Sequence, residues 1–96
     1  MSTVEDLHRN YRVAFFRYLP RREEAALRLA YEIGRAAVVD QVSVLDLAQV
    51  HHQVLLEVLR STKPDEVAQI ATAASEFLLE VLAIYDMAHR GMLRSS

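Results

Sequence analysis

Four histidines, His8, His51, His52 and His89, are the residues best suited to metal or proton-transfer chemistry. A metal pair on one helix needs ligands three or four positions apart, so that both reach the same ion. No two of these histidines have that spacing, no HExxH run occurs, and no acid completes a set. His51 falls in an apolar stripe, whereas His52 points about 100° away from it on a helix. His51 is therefore expected to be a satisfied, partly buried histidine, whose pKa near neutrality would permit pH sensitivity. The serines offer no nucleophile. Ser43 and Ser61 sit at helix boundaries, Ser75 falls within a helix, and there is no GxSxG and no glycine loop to cradle a phosphate. The carboxylate pairs Glu23–Glu24 and Asp65–Glu66 fit helix starts, where acids meet the positive end of the dipole. With no cysteine there is no thiolate site, disulfide or cysteine nucleophile. No catalytic, cofactor-binding or metal-binding residues are expected, and this chain is not expected to be an enzyme by itself.

Arginine is the remaining chemical signal. Arg9, Arg12, Arg17, Arg21 and Arg22 fall in a stretch with no acid. Such a stretch could face a phosphate backbone, an acidic protein or only solvent. The whole chain carries 11 basic and 13 acidic residues, a net charge of −2, so it lacks the positive field that nucleic-acid binding usually needs.

These residues must be held by a small fold. The chain has 96 residues, 52% of them apolar and 25% charged, which suits one folded domain. A monomer of this size buries only about 60–65% of its unfolded surface. Two glycines and two prolines leave few sharp turns, which argues against a sandwich or barrel. Charge-free runs are short, so no membrane span is expected, and the polar, acidic start suggests no signal peptide. The expected location is the cytoplasm.

Apolar spacing predicts an all-α fold of four helices, at about residues 3–19, 20–39, 44–60 and 64–90. The first starts at a capping box, Ser2 with Glu5 or Thr3 with Asp6, and buries Val4, Leu7, Tyr11, Ala14, Phe15 and Tyr18. Pro20 suits the first position of the second helix, where its missing N–H costs nothing. That helix has a stripe of small residues, Ala26, Ala30, Ile33 and Ala37, with Gly34 inside it as a point of close packing. Ser43 caps the third helix, whose face is Val44, Leu47, Ala48, His51, Val54, Leu55 and Val58. Pro64 restarts the chain, and the fourth helix buries Val67, Ile70, Ala71, Ala74, Phe77, Leu78, Val81, Leu82 and Tyr85 before stopping at Gly91. Short connections make consecutive helices antiparallel neighbours, giving an up-down-up-down bundle. Residues 1–90 are expected to form a single helical domain, and 91–96 the start of a linker or tail.

The second half of the fourth helix is apolar nearly all round. Leu79, Ala83, Ile84 and Met87 lie off its main stripe, as Val13 and Phe16 do on the first helix. A helix in a monomeric bundle needs an apolar face of little more than about 100°. The surplus predicts a protein interface, with a second copy or with a partner.

Along residues 4–90 the chain resembles the N-terminal domain of RsbU-type phosphoserine phosphatases, regulators of the bacterial general stress response. The resemblance rests on Tyr11 with Arg17-Tyr18, Ala30 with Ile33 and Arg35, and Gln41. It continues through Val50-His51, Val54-Leu55, Phe77 to Val81, Tyr85 and Met87-Ala88. It implies a homodimeric four-helix bundle related in fold to the C-terminal domain of the clock protein KaiA. Such a domain docks a switch-kinase-type activator, so that a C-terminal PP2C domain can dephosphorylate an anti-sigma-factor antagonist. The partner-binding positions it implies are Arg28, Leu79 and Ala83, with Arg28 standing where the family carries an aromatic residue. The competing expectations are a nucleic-acid-binding helical protein using Arg9–Arg22, and a stand-alone helical adaptor.

Overall fold

The computed structural model describes residues 3–20, 22 and 24–95, with side chains over 4–20, 22 and 24–91. These form four α-helices, α1 (Thr3–Tyr18), α2 (Glu24–Val39), α3 (Val44–Arg60) and α4 (Val67–Ser95). A 3-10 turn, Pro64–Glu66, leads into α4. The molecule measures 49 × 27 × 19 Å. Its length is set by α4, about 43 Å at 1.5 Å per residue, and its thinnest dimension is about two helix diameters.

Two predicted boundaries differ. Pro20 ends α1 rather than opening α2, which starts at Glu24. Proline has no N–H to give to the carbonyl four residues back, so α1 cannot continue through it. The chain then reverses through Arg22 in the left-handed region (φ 51°), whose N–H donates to the Tyr18 carbonyl at 2.8 Å. Gly91 does not stop α4, which runs on to Ser95. A terminating glycine must turn left-handed, and Gly91 has no positive φ. The methionine, leucine and arginine that follow are good helix formers. Ser2 and Glu23, and the Thr3 side chain of the predicted cap, lie outside the described residues.

The other punctuation holds. The Ser43 hydroxyl accepts from the Asp46 N–H at 3.1 Å and caps α3. Before it, α2 closes in a Schellman motif. Gln41 N–H donates to Val38 O (3.1 Å) and Val42 N–H to Ala37 O (2.8 Å). Gln41 occupies the left-handed position (φ 60°) where glycine is usual. Val42 turns into the core and is buried, and its carbonyl accepts from the Tyr85 hydroxyl at 2.8 Å, fixing the α2–α3 connection to α4.

The core is built from the predicted stripes, minus their ends. Leu7, Tyr11, Ala14, Phe15 and Tyr18 of α1 are buried, as are Leu47, Val54 and Val58 of α3 and Ala74, Phe77 and Val81 of α4. Val4, Val44 and Val67, each at a helix start beyond its neighbours' reach, are exposed, and so are Ala48 and Ala71. Val50 and Ala73 are buried instead. Phe77 stands edge-on to Tyr11 and Phe15, with centroids 5.2 and 5.6 Å away, a favoured aromatic geometry.

By length and composition the Pro64–Gly91 stretch could cross a membrane, which the short charge-free runs did not suggest. Isolated Glu76, Glu80 and Asp86 interrupt those runs without offsetting the apolar residues around them. Here Ala74, Phe77 and Val81 pack into the protein core, yet only 22% of the most apolar window is buried. Of the apolar surplus predicted for this helix, Leu79, Ala83 and Met87 are exposed, whereas Ile84 is partly covered where it packs against Gly34 of α2.

Candidate docking surface

The most extensive helix pair is α2 with α4. Alanines and a glycine on α2 let the two backbones close up. A Cβ placed on Gly34 would lie 2.8 Å from the Val81 carbonyl oxygen and 3.0 Å from Ile84 Cβ. Larger side chains flank this seam and form a surface groove of about 650 Å³, lined by Glu24, Ala25, Leu27, Arg28, Tyr31 and Glu80. The Arg35 guanidinium donates to the Tyr31 hydroxyl at 3.2 Å and sits 5.9 Å from its ring centroid, which holds the ring in place. Arg28 and Glu80 have no ion-pair partner among the described residues.

Beside the groove, α4 turns Leu79, Ala83 and Met87 to solvent at four-residue spacing. Leu79 is 66% exposed and Met87 68%. Side chains so spaced share one helix face. Of the three sequence-derived positions, Arg28 lines the groove, while Leu79 and Ala83 lie one turn apart on the α4 face and do not line it. Tyr31, not among the three, also lines the groove. An exposed tyrosine one turn beyond Arg28 was the available signal, and it supplies an aromatic ring to a groove whose position 28 carries none.

The other chemical candidates are absorbed by the fold. His51 is buried, and its Nδ1 shares a 2.6 Å hydrogen bond with the Tyr11 hydroxyl. Burial first, then the neighbouring His52, holds the His51 pKa below the ordinary histidine value, so at neutral pH the ring is uncharged. Burial also drives the Tyr11 hydroxyl pKa upward. No group of three metal-ligating side chains stands together among the described residues.

The arginine stretch is divided among acids. Arg9 pairs with Asp6 at 2.9 Å, and Arg12 grips Glu57 across α1 and α3 with bonds of 2.8–3.0 Å. That hydrogen bonding holds the Glu57 carboxyl below its ordinary pKa. Arg22 reaches Glu76 at 3.6 Å and the Gln69 carbonyl at 2.9 Å. Arg21 lies outside the described residues. Three arginines of a stretch that looks uniformly basic in sequence, Arg9, Arg12 and Arg22, thus meet acids in space.

The surface that remains is apolar on α4 and mixed in charge along α2. A family model, that of the N-terminal domain of the phosphoserine phosphatase RsbU, matches residues 9–88. No curated protein and no solved structure matches the chain. The match spans most of the chain and takes in α2, α3 and the exposed face of α4, so the chain belongs to the family of RsbU phosphoserine phosphatase N-terminal domains.

Proposed function

We propose that this domain is the regulatory docking module of a stress-response phosphatase. It receives a switch-kinase-type activator protein on the α2–α4 surface and self-associates. Activator binding then turns on a PP2C domain lying C-terminal to it, which dephosphorylates an anti-sigma-factor antagonist in the cytoplasm. The observation that carries this reading is the unpartnered apolar stripe of Leu79, Ala83 and Met87 beside the Arg28–Tyr31–Glu80 groove. An apolar centre flanked by an aromatic ring and unpaired charges has the composition of a protein interface. Arg28 and Glu80 would set partner choice and the stripe would supply affinity.

The antiparallel arrangement belongs to the same proposal. It is supported by the short connections and by contacts that tie the chain near the start of α2 (Arg22) to Gln69 and the chain after its end (Val42) to Tyr85. Those contacts suit α2 and α4 running in the same direction, as alternate helices do in an up-down bundle.

Calorimetric titration of the chain with a switch-kinase-type protein tests the docking site. Leu79→Asp places a charge at the centre of the stripe and should lower affinity more than about tenfold, the scale of a central apolar contact. Leu79 is exposed, so helicity by circular dichroism should be unchanged. Unaltered affinity in a folded variant would remove α4 from the site.

A further inference from the structure

The chain has no cysteine, so its sulfur chemistry rests on Met1, Met87 and Met92. Met1 and the Met92 side chain lie outside the described residues. Met87 is 68% exposed, on the α4 face that also presents Leu79 and Ala83. Of that stripe only Met87 carries an atom with a reactive lone pair. In the same turn the other polar and aromatic groups engage one another. Asp86 pairs with Arg90 at 3.2 Å, and the Tyr85 ring stacks on His89 with centroids 6.0 Å apart. An exposed thioether is open to small oxidants from solvent, whereas a buried one is screened by its packing.

We infer that Met87 is a site of reversible oxidation, and that its sulfoxide releases the protein docked on α4. The inference rests on the docking reading proposed above and adds a chemical control to that surface. The oxidant is a two-electron oxygen donor, hydrogen peroxide. The sulfur lone pair attacks one peroxide oxygen, an S–O bond forms and the O–O bond breaks. The thioether is oxidised by two electrons, and the peroxide is reduced and leaves as water once its proton has shifted. A methionine sulfoxide reductase supplied with a dithiol reverses the step. The sulfoxide oxygen then leaves as water, and the dithiol becomes a disulfide.

The consequence differs between the free and the docked chain. On the free chain the sulfoxide oxygen is hydrated, and Met87 takes no part in the core, so the fold is unaffected. In the docked complex the same oxygen must lose its water inside an apolar contact. A polar group buried without a partner weakens binding about tenfold or more. Oxidation thus acts as a brake, uncoupling the phosphatase from its activator for as long as the sulfoxide persists.

Hydrogen peroxide treatment of the full 96-residue chain, followed by calorimetric titration with the switch-kinase-type protein, tests this. Peptide mass analysis should find one added oxygen on Met87, with helicity by circular dichroism unchanged. Affinity should fall about tenfold or more, and return after incubation with a methionine sulfoxide reductase and dithiol. Met87→Leu keeps an apolar side chain of similar volume, so it should bind within about threefold of wild type. It should keep that affinity after peroxide, although Met1 and Met92 remain oxidisable. Met87→Gln, polar and of similar length, should bind weakly without treatment. A Met87 that stays reduced in the folded chain would overturn the inference. An oxidised Met87 that docks as tightly as the thioether would overturn it and leave the docking reading standing. Equal loss in peroxide-treated Met87→Leu would move the effect to another residue and overturn it too. An untreated wild type that does not bind would overturn the docking reading and this inference together.

Discussion

Gly34→Ala isolates the close approach of α2 and α4. On an exposed helix this change is favourable by up to about 1 kcal/mol, because alanine has the better helix propensity. Here the new methyl would lie 2.8 Å from the Val81 carbonyl oxygen, and 3.0 and 3.1 Å from Ile84 Cβ and Cγ2. The carbonyl belongs to the α4 backbone, beside a fully buried side chain, and cannot rotate away. Relief requires α2 and α4 to separate by about half an ångström, along an interface packed at crystal-like density. Overpacking of this kind costs about 1–3 kcal/mol, which exceeds the propensity gain. The expected net effect is a loss of about 1 kcal/mol, or about 4–8 °C in Tm for a domain of this size. Gly91→Ala is the matched control. Its methyl meets nothing within 4 Å, so it should keep the propensity gain, reduced by its position near the helix end. Thermal melts followed at 222 nm compare the two. A rise in Tm for Gly34→Ala matching that for Gly91→Ala would mean that α2 and α4 have room for the methyl.

Two further predictions concern the buried pair. Tyr11→Phe removes the hydroxyl and leaves His51 Nδ1 buried without its partner. Urea unfolding should show a loss of about 1–3 kcal/mol with an unchanged m-value, and a loss under about 0.5 kcal/mol would deny the bond a structural role. His51 has a depressed pKa in the fold, so below the ordinary value of 6.5 the unfolded chain binds more protons than the native one. Its stabilising contribution is complete above pH 6.5 and declines as pH falls towards the folded pKa. Melts between pH 7.5 and 5 should show Tm falling with acid in wild type and falling less in His51→Gln. Equal slopes would mean that His51 does not titrate on unfolding.

Much of this molecule was legible in the residues, and the exceptions have physical causes. Three-and-four spacing found the middles of the stripes, because Tyr11, Phe15, Phe77 and Val81 must face the same core. It failed at helix ends such as Val44, where an apolar residue in register has no neighbouring helix to cover it. Pro20 was ambiguous, since proline serves equally after one helix or at the start of the next. Gly34 was placed correctly as a point of close packing, but its distance to Val81 needed coordinates. The apolar surplus of α4 was visible as composition, and Leu79 and Met87 are indeed exposed. The groove beside them was not visible, because it is made by two helices whose relative position no local pattern encodes. The partners of the arginine stretch were hidden for the same reason where they lie far off in sequence, Glu57 on α3 and Glu76 on α4.

Hydrogen exchange of the chain with and without a bound switch-kinase-type protein tests the docking claim most directly. Backbone amides report the covered surface without altering any residue. New protection is expected over residues 28–35 of α2 and 79–87 of α4, with α3 unchanged. Protection confined to α1 and α3, with those two segments exchanging as in the free chain, would contradict it.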